Sequence, residues 1–325
     1  MTSSKQEIVL LEQVSALQQA EKTITEHSVL NYIHAATSAN TRRAYQADIR
    51  HFIQCGGLLP ASSDCIIRYL EQQAMRLNPR TLVRKLTSLK NWHLSQGFVD
   101  PTASLGVRKT MKGIRHVHGK PKNKALPLTL AVLLKWVDYL KSSSRLIDIR
   151  NNALLQIGFF GAFRRSELVA IQWEHIRWLP EGIEILIPRS KTDQAGEGQF
   201  CAIPYGNKAL CAVNALQVWR EHSPDQNGFV FKQIGKEGYI KTETIKPNQV
   251  NIIIKTIAKA CNMQDIYLYR SHSMRRGFAT EASKKGASFS AIMRQGRWQH
   301  EATVLGYIEE GKRFDNNAVS HLFNI

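Results

Sequence analysis

The chain has 325 residues, 43% of them hydrophobic, and its 44 Lys and Arg outnumber 26 Asp and Glu to leave a net charge of +18. That length predicts two domains, each with an apolar core, and the charge predicts a polyanionic partner, nucleic acid before any other, because regularly spaced phosphates release counterions when bound. A basic surface that merely keeps the protein soluble also accounts for the charge, which by itself names no chemistry.

The five cysteines (Cys55, Cys65, Cys201, Cys211, Cys261) make no CxxC pair and no Cys/His metal spacing. An odd number without a secretory leader fits a reducing compartment, and the apolar run Ile8–Leu11 is too short for a leader core or a membrane span. These features predict a cytoplasmic protein (nucleoid-associated, if the source is bacterial or phage) without metal, cofactor or membrane partner.

In chain order, residues 1–27 read as a polar helical extension and 28–114 as a bundle of short amphipathic helices. Tyr45, Ile49, Phe52 and Ile53 form one apolar stripe. After Gly56-Gly57, a second helix starts at Ser62 or Ser63 and buries Ile66, Tyr69 and Leu70. A third has Asn78 as N-cap and Pro79 at its first position, aligns Leu82, Leu86 and Leu89, and stops at Gly97. A shorter fourth is expected between Pro101 and Met111. Residues 108–124 (RKTMKGIRHVHGKPKNK) hold seven Lys or Arg and no acid, which predicts an unpacked stretch lying along a phosphate backbone, with 115–127 as the basic linker between domains. The alternative is a solvated spacer.

Residues 128–313 read as a second, α+β domain. Helices are expected around Leu133–Leu140, at 152–162, and at about 207–221, 248–261, 273–285, 288–295 and 300–308. Two β-like runs, 183–188 and 199–203, flank the polar turn SKTDQAGEG. The fold class is therefore mainly α with a small β-sheet. In the tail, 314–325, a short helix is expected over Asn316–Phe323 that would expose Val319, Leu322 and Phe323.

Four segments of this second half carry polar residues of chemical interest. GAFRRSELVAIQW places Arg164 three residues before Glu167, on one face if helical; alone this is an ion pair at a helix start. Lys191 sits in the expected hairpin turn, where a lone lysine is ordinarily solvated. SHSMRRGFATEA sets His272 and Arg275 one turn apart, and RQGRWQHEATVLGYI sets Trp298 nine residues before Tyr307, which alone reads as core packing.

Taken together, their order and spacing resemble the tyrosine recombinase (phage integrase) family, in its Cre-like and Xer-like subgroup, over residues 30 to 310. TRRAYQADIRHF, NPRTLVRKLTSLKNWH and the basic stretch resemble that family's helical, SAM-like core-binding domain. The resemblance implies that Arg164 and Arg275, rather than Arg165 and Arg276, hold the scissile phosphate. It makes Lys191 the hairpin lysine, His272 the active-site histidine, Glu167 the acidic support and Tyr307 the nucleophile. Trp298 stands where His is commoner, as in the Cre-like subgroup, and changes one N–H donor for another. The partner implied is double-stranded DNA with paired inverted half-sites, on which the protein dimerises and then forms a tetramer, with Val319, Leu322 and Phe323 docking on a neighbouring subunit. Phosphate-backbone contacts are expected from Arg42, Arg43, Arg80, Arg84, Lys85, Lys90, Arg115, Lys120, Lys122 and Lys124.

The residue types suit transesterification at phosphorus. Two guanidiniums fork onto the non-bridging oxygens and stay protonated at any working pH, and a tyrosyl ester conserves the bond energy, so rejoining needs no ATP. Type IB topoisomerases and telomere resolvases share this set, and an inactive DNA-binding relative on the same fold is the remaining alternative. With no arm-binding domain legible in residues 1–27, the reading favours a simple recombinase.

Overall fold

In the computed structural model, which describes residues 36–188, 198–223, 226–311, 319 and 322, the first described helix begins where the Ser38 hydroxyl accepts from the Thr41 N–H. The chain divides into two units, Met1–Lys122 and Asn123–Ile325.

The first unit holds four helices: α1 (Ala39–Gln54), α2 (Ser63–Gln73), α3 (Pro79–Ser95) and α4 (Leu105–His118). Each opens on a side-chain cap, from Ser38, Ser62, Asn78 and Ser104, which satisfies one otherwise orphaned N–H. Phe52, Ile66, Leu70, Leu82, Leu89, Val107, Met111 and Ile114 make the core. Two expectations change here. Ile53 is exposed, so the stripe of α1 turns inward mainly through Phe52. The basic stretch is packed as far as His118: Val107, Met111 and Ile114 fall at i, i+4 and i+7 and are buried, while Arg108, Lys109, Lys112 and Arg115 cover the other faces. Density of charge hid a helix that needed only three apolar residues.

A buried carboxylate also sits in this unit. Asp48 accepts from Arg84 Nη1 at 2.7 Å and Ser88 Oγ at 2.8 Å, and Lys85 Nζ lies 3.2 Å away.

The second unit begins with an extended segment in which the Leu126 N–H donates to Leu268 and the Leu128 N–H to Ser273. Helices α5 (Leu130–Lys141) and α6 (Leu146–Phe160) follow, then the one-turn α7 (Arg165–Val169). Helix α6 starts six residues before the expected Asn152 because its polar first turns are buried with partners. Ser143 and Arg145 hold Asp148, and Arg150 donates to Asn151 and to the Lys232 carbonyl. Strands β1 (Ile176–Leu179), β2 (Gly182–Ile187) and β3 (Gln199–Pro204) form an antiparallel sheet in that order, with Ile185 opposite Cys201 and Ile183 opposite Ile203. These four side chains are buried on the core side. Next come α8 (Ala212–Glu221), the hairpin β4 (Lys232–Ile234) and β5 (Ile240–Thr244), and α9 (Pro247–Ala260). Helix α8 opens later than the expected 207, because the Asn207 side chain accepts from the Ala209 and Leu210 N–H groups and holds a turn there. The unit closes with α10 (Ser271–Lys284), α11 (Phe289–Gly296) and α12 (Glu301–Gly311). Strands β1, β4 and β5 were not expected; they are short and lack a two-residue alternation of apolar side chains. Among the described residues no helix is long and apolar enough to cross a membrane.

Candidate active site

The site is assembled from three breaks in helical structure. At the first, α6 ends on Gly161 and Ala162 adopts a left-handed φ of 45°, which turns the chain so that Arg164 becomes the N-cap of α7. Arg164 is thus extended at its backbone, and Glu167 reaches back to it. The Glu167 carboxylate accepts from the Arg164 backbone N–H at 2.9 Å through Oε2 and from Arg164 Nη1 at 2.7 Å through Oε1. Glu167 is buried, whereas the Arg164 side chain keeps 22% of its surface exposed. Burial alone would raise the Glu167 pKa, but the two hydrogen bonds from Arg164, aided by the charge of Arg297, hold it below the usual carboxylate value.

The second break is the start of α10, placed by the extended segment: a Cβ on Gly277 would lie 2.0 Å from the Leu128 carbonyl oxygen, so the helix approaches Leu128 as only glycine permits. One face of α10 carries His272 and Arg275. Arg275 is buried, donates through Nη1 to the Ala162 carbonyl, and leaves Nη2 without a partner. Burial and then the charge of Arg164 lower its pKa to about 9, which leaves it protonated at neutral pH. Arg276 lies over the Tyr307 ring, its Cζ 5.7 Å from the centroid. It pairs with Glu310 and donates to the Ala125 carbonyl, and Lys124 pairs with the same Glu310.

The third break joins α11 to α12. Arg297 is left-handed at φ 53°, and Trp298 folds its ring back over Gly296, where a Cβ would lie 1.7 Å from the indole. The face of that ring meets Arg275, whose Cζ is 4.1 Å from the centroid. Nine residues on, Tyr307 projects from α12 toward α10, and His272 Nε2 lies 2.7 Å from its hydroxyl. The Trp298 and Tyr307 rings meet edge-on, centroids 6.3 Å apart. Desolvation, then Arg275, Arg276 and Arg164, push the His272 pKa below its ordinary 6.5, so the ring is a neutral acceptor at neutral pH. Tyr307 is pushed up by burial, against the pull of Arg275 and Arg276, and is a phenol at rest.

Six of the seven residues singled out in the sequence therefore gather in one place: Arg164, Glu167, His272, Arg275, Trp298 and Tyr307. Lys191 lies outside the described residues, as does Phe323. Val319 and Leu322 are helical and exposed. Sequence reasoning passed over Arg297, Gln295 and Glu310. Gln295 Nε2 donates to the Phe160 and Ala202 carbonyls, each at 2.9 Å, and so ties α11 to the end of α6 and to β3. The partners of Gln295, and the Gly161 and Glu167 partners of Arg297, lie more than 90 residues away in sequence, where no spacing rule reaches.

Of the basic residues, Lys85 is misplaced as a surface contact: its side chain is 7% exposed and neutralises Asp48. Arg84 shares that carboxylate but stays partly exposed. Arg80, Arg115, Lys120 and Lys122 line one open cleft of about 460 Å³ at the N-terminus of α3. Arg43 is exposed and donates to Asn40, Arg42 donates to the Thr37 carbonyl, and Lys90 lies 3.8 Å from Asp100.

The model of the "Phage integrase family" matches residues 128–313. An integrase/recombinase XerD homolog of Selenomonas ruminantium is 35% identical over 294 residues, covering 88% of this chain and 86% of that protein. Recombinase Cre of Escherichia phage P1 is 26% identical over 266 residues, covering 77% and 76%. Among solved structures, a lambda integrase dimer bound to a COC′ core site shares the fold with a TM-score of 0.60 at 15% identity, over 87% of this chain and 75% of that one. XerH bound to palindromic difH in a post-cleavage complex shares it with a TM-score of 0.56 at 16% identity, over 81% and 72%.

Proposed function

The chain belongs to the phage integrase family and is a site-specific tyrosine recombinase acting on DNA, and from that premise we propose that Tyr307 is its nucleophile, with Arg164, Arg275 and Trp298 around the scissile phosphate. The observation that carries this reading is the 2.7 Å contact between Tyr307 and a histidine that its surroundings keep neutral, beside a buried arginine with a free donor.

In the proposed reaction the Tyr307 oxygen attacks phosphorus as its proton passes to His272 Nε2. The bond from phosphorus to the 5′ oxygen breaks, and that oxygen takes a proton from Lys191. The products are a 3′-phosphotyrosine and a 5′-hydroxyl. A 5′-hydroxyl of the partner strand reverses the step with no net loss of phosphoester, so no nucleotide is consumed. Arg275 Nη2 and the exposed side of Arg164 meet the non-bridging oxygens, where preorganised charge gives the largest catalytic contribution. Glu167 has no face toward substrate and serves to fix Arg164.

Residues 28–114 are proposed as the core-binding domain and 128–313 as the catalytic domain. The cleft lined by Arg80, Arg115, Lys120 and Lys122 is proposed to follow the DNA backbone. The site would be a pair of inverted half-sites, filled by a dimer and joined in a tetramer. The exposure of Val319 and Leu322 supports a tail that docks on a neighbouring copy.

A nicked substrate that traps the cleaved strand tests the reading. Wild-type protein should yield a covalent adduct on a denaturing gel, and Tyr307→Phe should bind the same DNA and yield none. Adduct at wild-type level from Tyr307→Phe removes Tyr307 from the role.

A further inference from the structure

Arg297 is a buried cation with no route to substrate. Its side chain is 3% exposed, and both of its terminal nitrogens are spent on the protein. Nη1 donates to the Gln295 carbonyl at 2.8 Å, and Nη2 donates to the Gly161 carbonyl at 3.1 Å and lies 3.4 Å from Glu167 Oε2. The guanidinium carbon lies over Phe163, 4.7 Å from the ring centroid. All of these partners except the Gln295 carbonyl belong to the site. Gly161 and Phe163 belong to the turn that delivers Arg164, and Glu167 is the carboxylate that grips Arg164. The residue after Arg297 is Trp298, the platform under Arg275. The backbone is left-handed at Arg297, a conformation glycine adopts freely and arginine does not, so the side chain is held there by what it contacts.

Charge makes the arrangement more specific. Arg164 and Glu167 alone form a neutral pair, and a neutral pair attracts a phosphate weakly. Adding Arg297 on the far oxygen of Glu167 leaves the group of three with one net positive charge, and the only member of the group facing the open side is Arg164.

We propose that Arg297 is a positioning residue for strand cleavage, which fixes Glu167 and the Gly161–Phe163 turn and, by offsetting the carboxylate, leaves the charge of Arg164 available to the scissile phosphate. This rests on the reading of the site given above.

The test compares single-turnover cleavage of a normal phosphodiester with that of a substrate bearing a methylphosphonate at the scissile position, which carries one negative charge fewer. Arg297→Gly suits the left-handed backbone and deletes only the side chain. It should bind half-site DNA as the wild type does, yet cleave the phosphodiester on the order of 100-fold more slowly, with at least a tenfold smaller defect on the methylphosphonate. Arg297→Gln, neutral and of similar reach, gives the same comparison if the glycine variant does not fold. Equal losses on the two substrates mean that Arg297 only holds the fold, and wild-type rates on both mean that it does nothing for cleavage; either result overturns the proposal. Failure of the site assignment looks different: the wild-type protein itself would then give no Tyr307-dependent adduct with either substrate.

Discussion

The guanidinium of Arg275 lies over the indole of Trp298, 4.1 Å from Cζ to the ring centroid, and its Nη1 donates to the Ala162 carbonyl. One face of the cation is thereby occupied by an aromatic surface and one nitrogen by the backbone, which leaves Nη2 as the free donor.

Trp298→Ala removes that surface together with the indole N–H. A desolvated cation–π contact is worth about 2 kcal/mol, or about 30-fold in rate. Single-turnover cleavage should fall by about that factor or more, while half-site affinity holds, and Trp298→Phe should recover part of the loss by restoring a face without the donor. Wild-type cleavage by Trp298→Ala excludes the ring from the site.

The pH profile reports on His272. Its pKa is lowered from 6.5, first by desolvation and then by Arg275, Arg276 and Arg164, so the neutral, proton-accepting form prevails above a midpoint that lies below 6.5. Cleavage should rise with pH through that midpoint and then level off, with Tyr307 still a phenol across the plateau. His272→Gln should lose this limb and about 100-fold in rate. A midpoint above 6.5, or the same limb in the variant, contradicts the role.

Gly277→Ala is a test of packing. Its Cβ would meet the Leu128 carbonyl oxygen at 2.0 Å and the Leu128 nitrogen at 2.7 Å, both backbone atoms, and the nitrogen is tied by its hydrogen bond to the Ser273 carbonyl. Denaturant unfolding should show a loss of about 3 kcal/mol. Gly306→Ala, in a helix of the same unit with nothing within 4 Å, should gain about 0.5–1 kcal/mol. Equal stabilities for the two variants would refute the close approach.

The buried carboxylate of the first unit separates structure from DNA contact. Asp48→Ala strands the Lys85 ammonium and should cost about 3–5 kcal/mol. Lys85→Met should leave the salt dependence of DNA binding unchanged, whereas Lys120→Ala should lower the slope by about 1. An equal drop in the two would return Lys85 to the DNA surface.

Helix caps and residue spacings were legible in the sequence, and for a physical reason: they are local. Asn78-Pro79 marks the start of α3, and the three- and nine-residue intervals of the site survive because a turn or a short helix sets each one. Charge misled in two places. A basic run concealed the apolar stripe of α4, and Lys85 looks like any surface lysine until Asp48, 37 residues earlier, is seen beneath it. Arg297 could not be found from spacing, since its meaning depends on Gly161 and Glu167, brought to it only by tertiary packing.

The helix that bears Tyr307 is fastened to its own chain, through Glu310 to Arg276 and Lys124 and through Tyr307 itself to His272. On the proposed assignment, nucleophile and phosphate-holding arginines thus come from the same copy. Mixing a chain that lacks Tyr307 with one that lacks Arg275 should then create no complementing pair, because neither could lend the other its missing part. Defective copies are silent in the first cut, which scales with the fraction of intact chain. They are dominant inhibitors of any outcome that needs several copies to cut in turn.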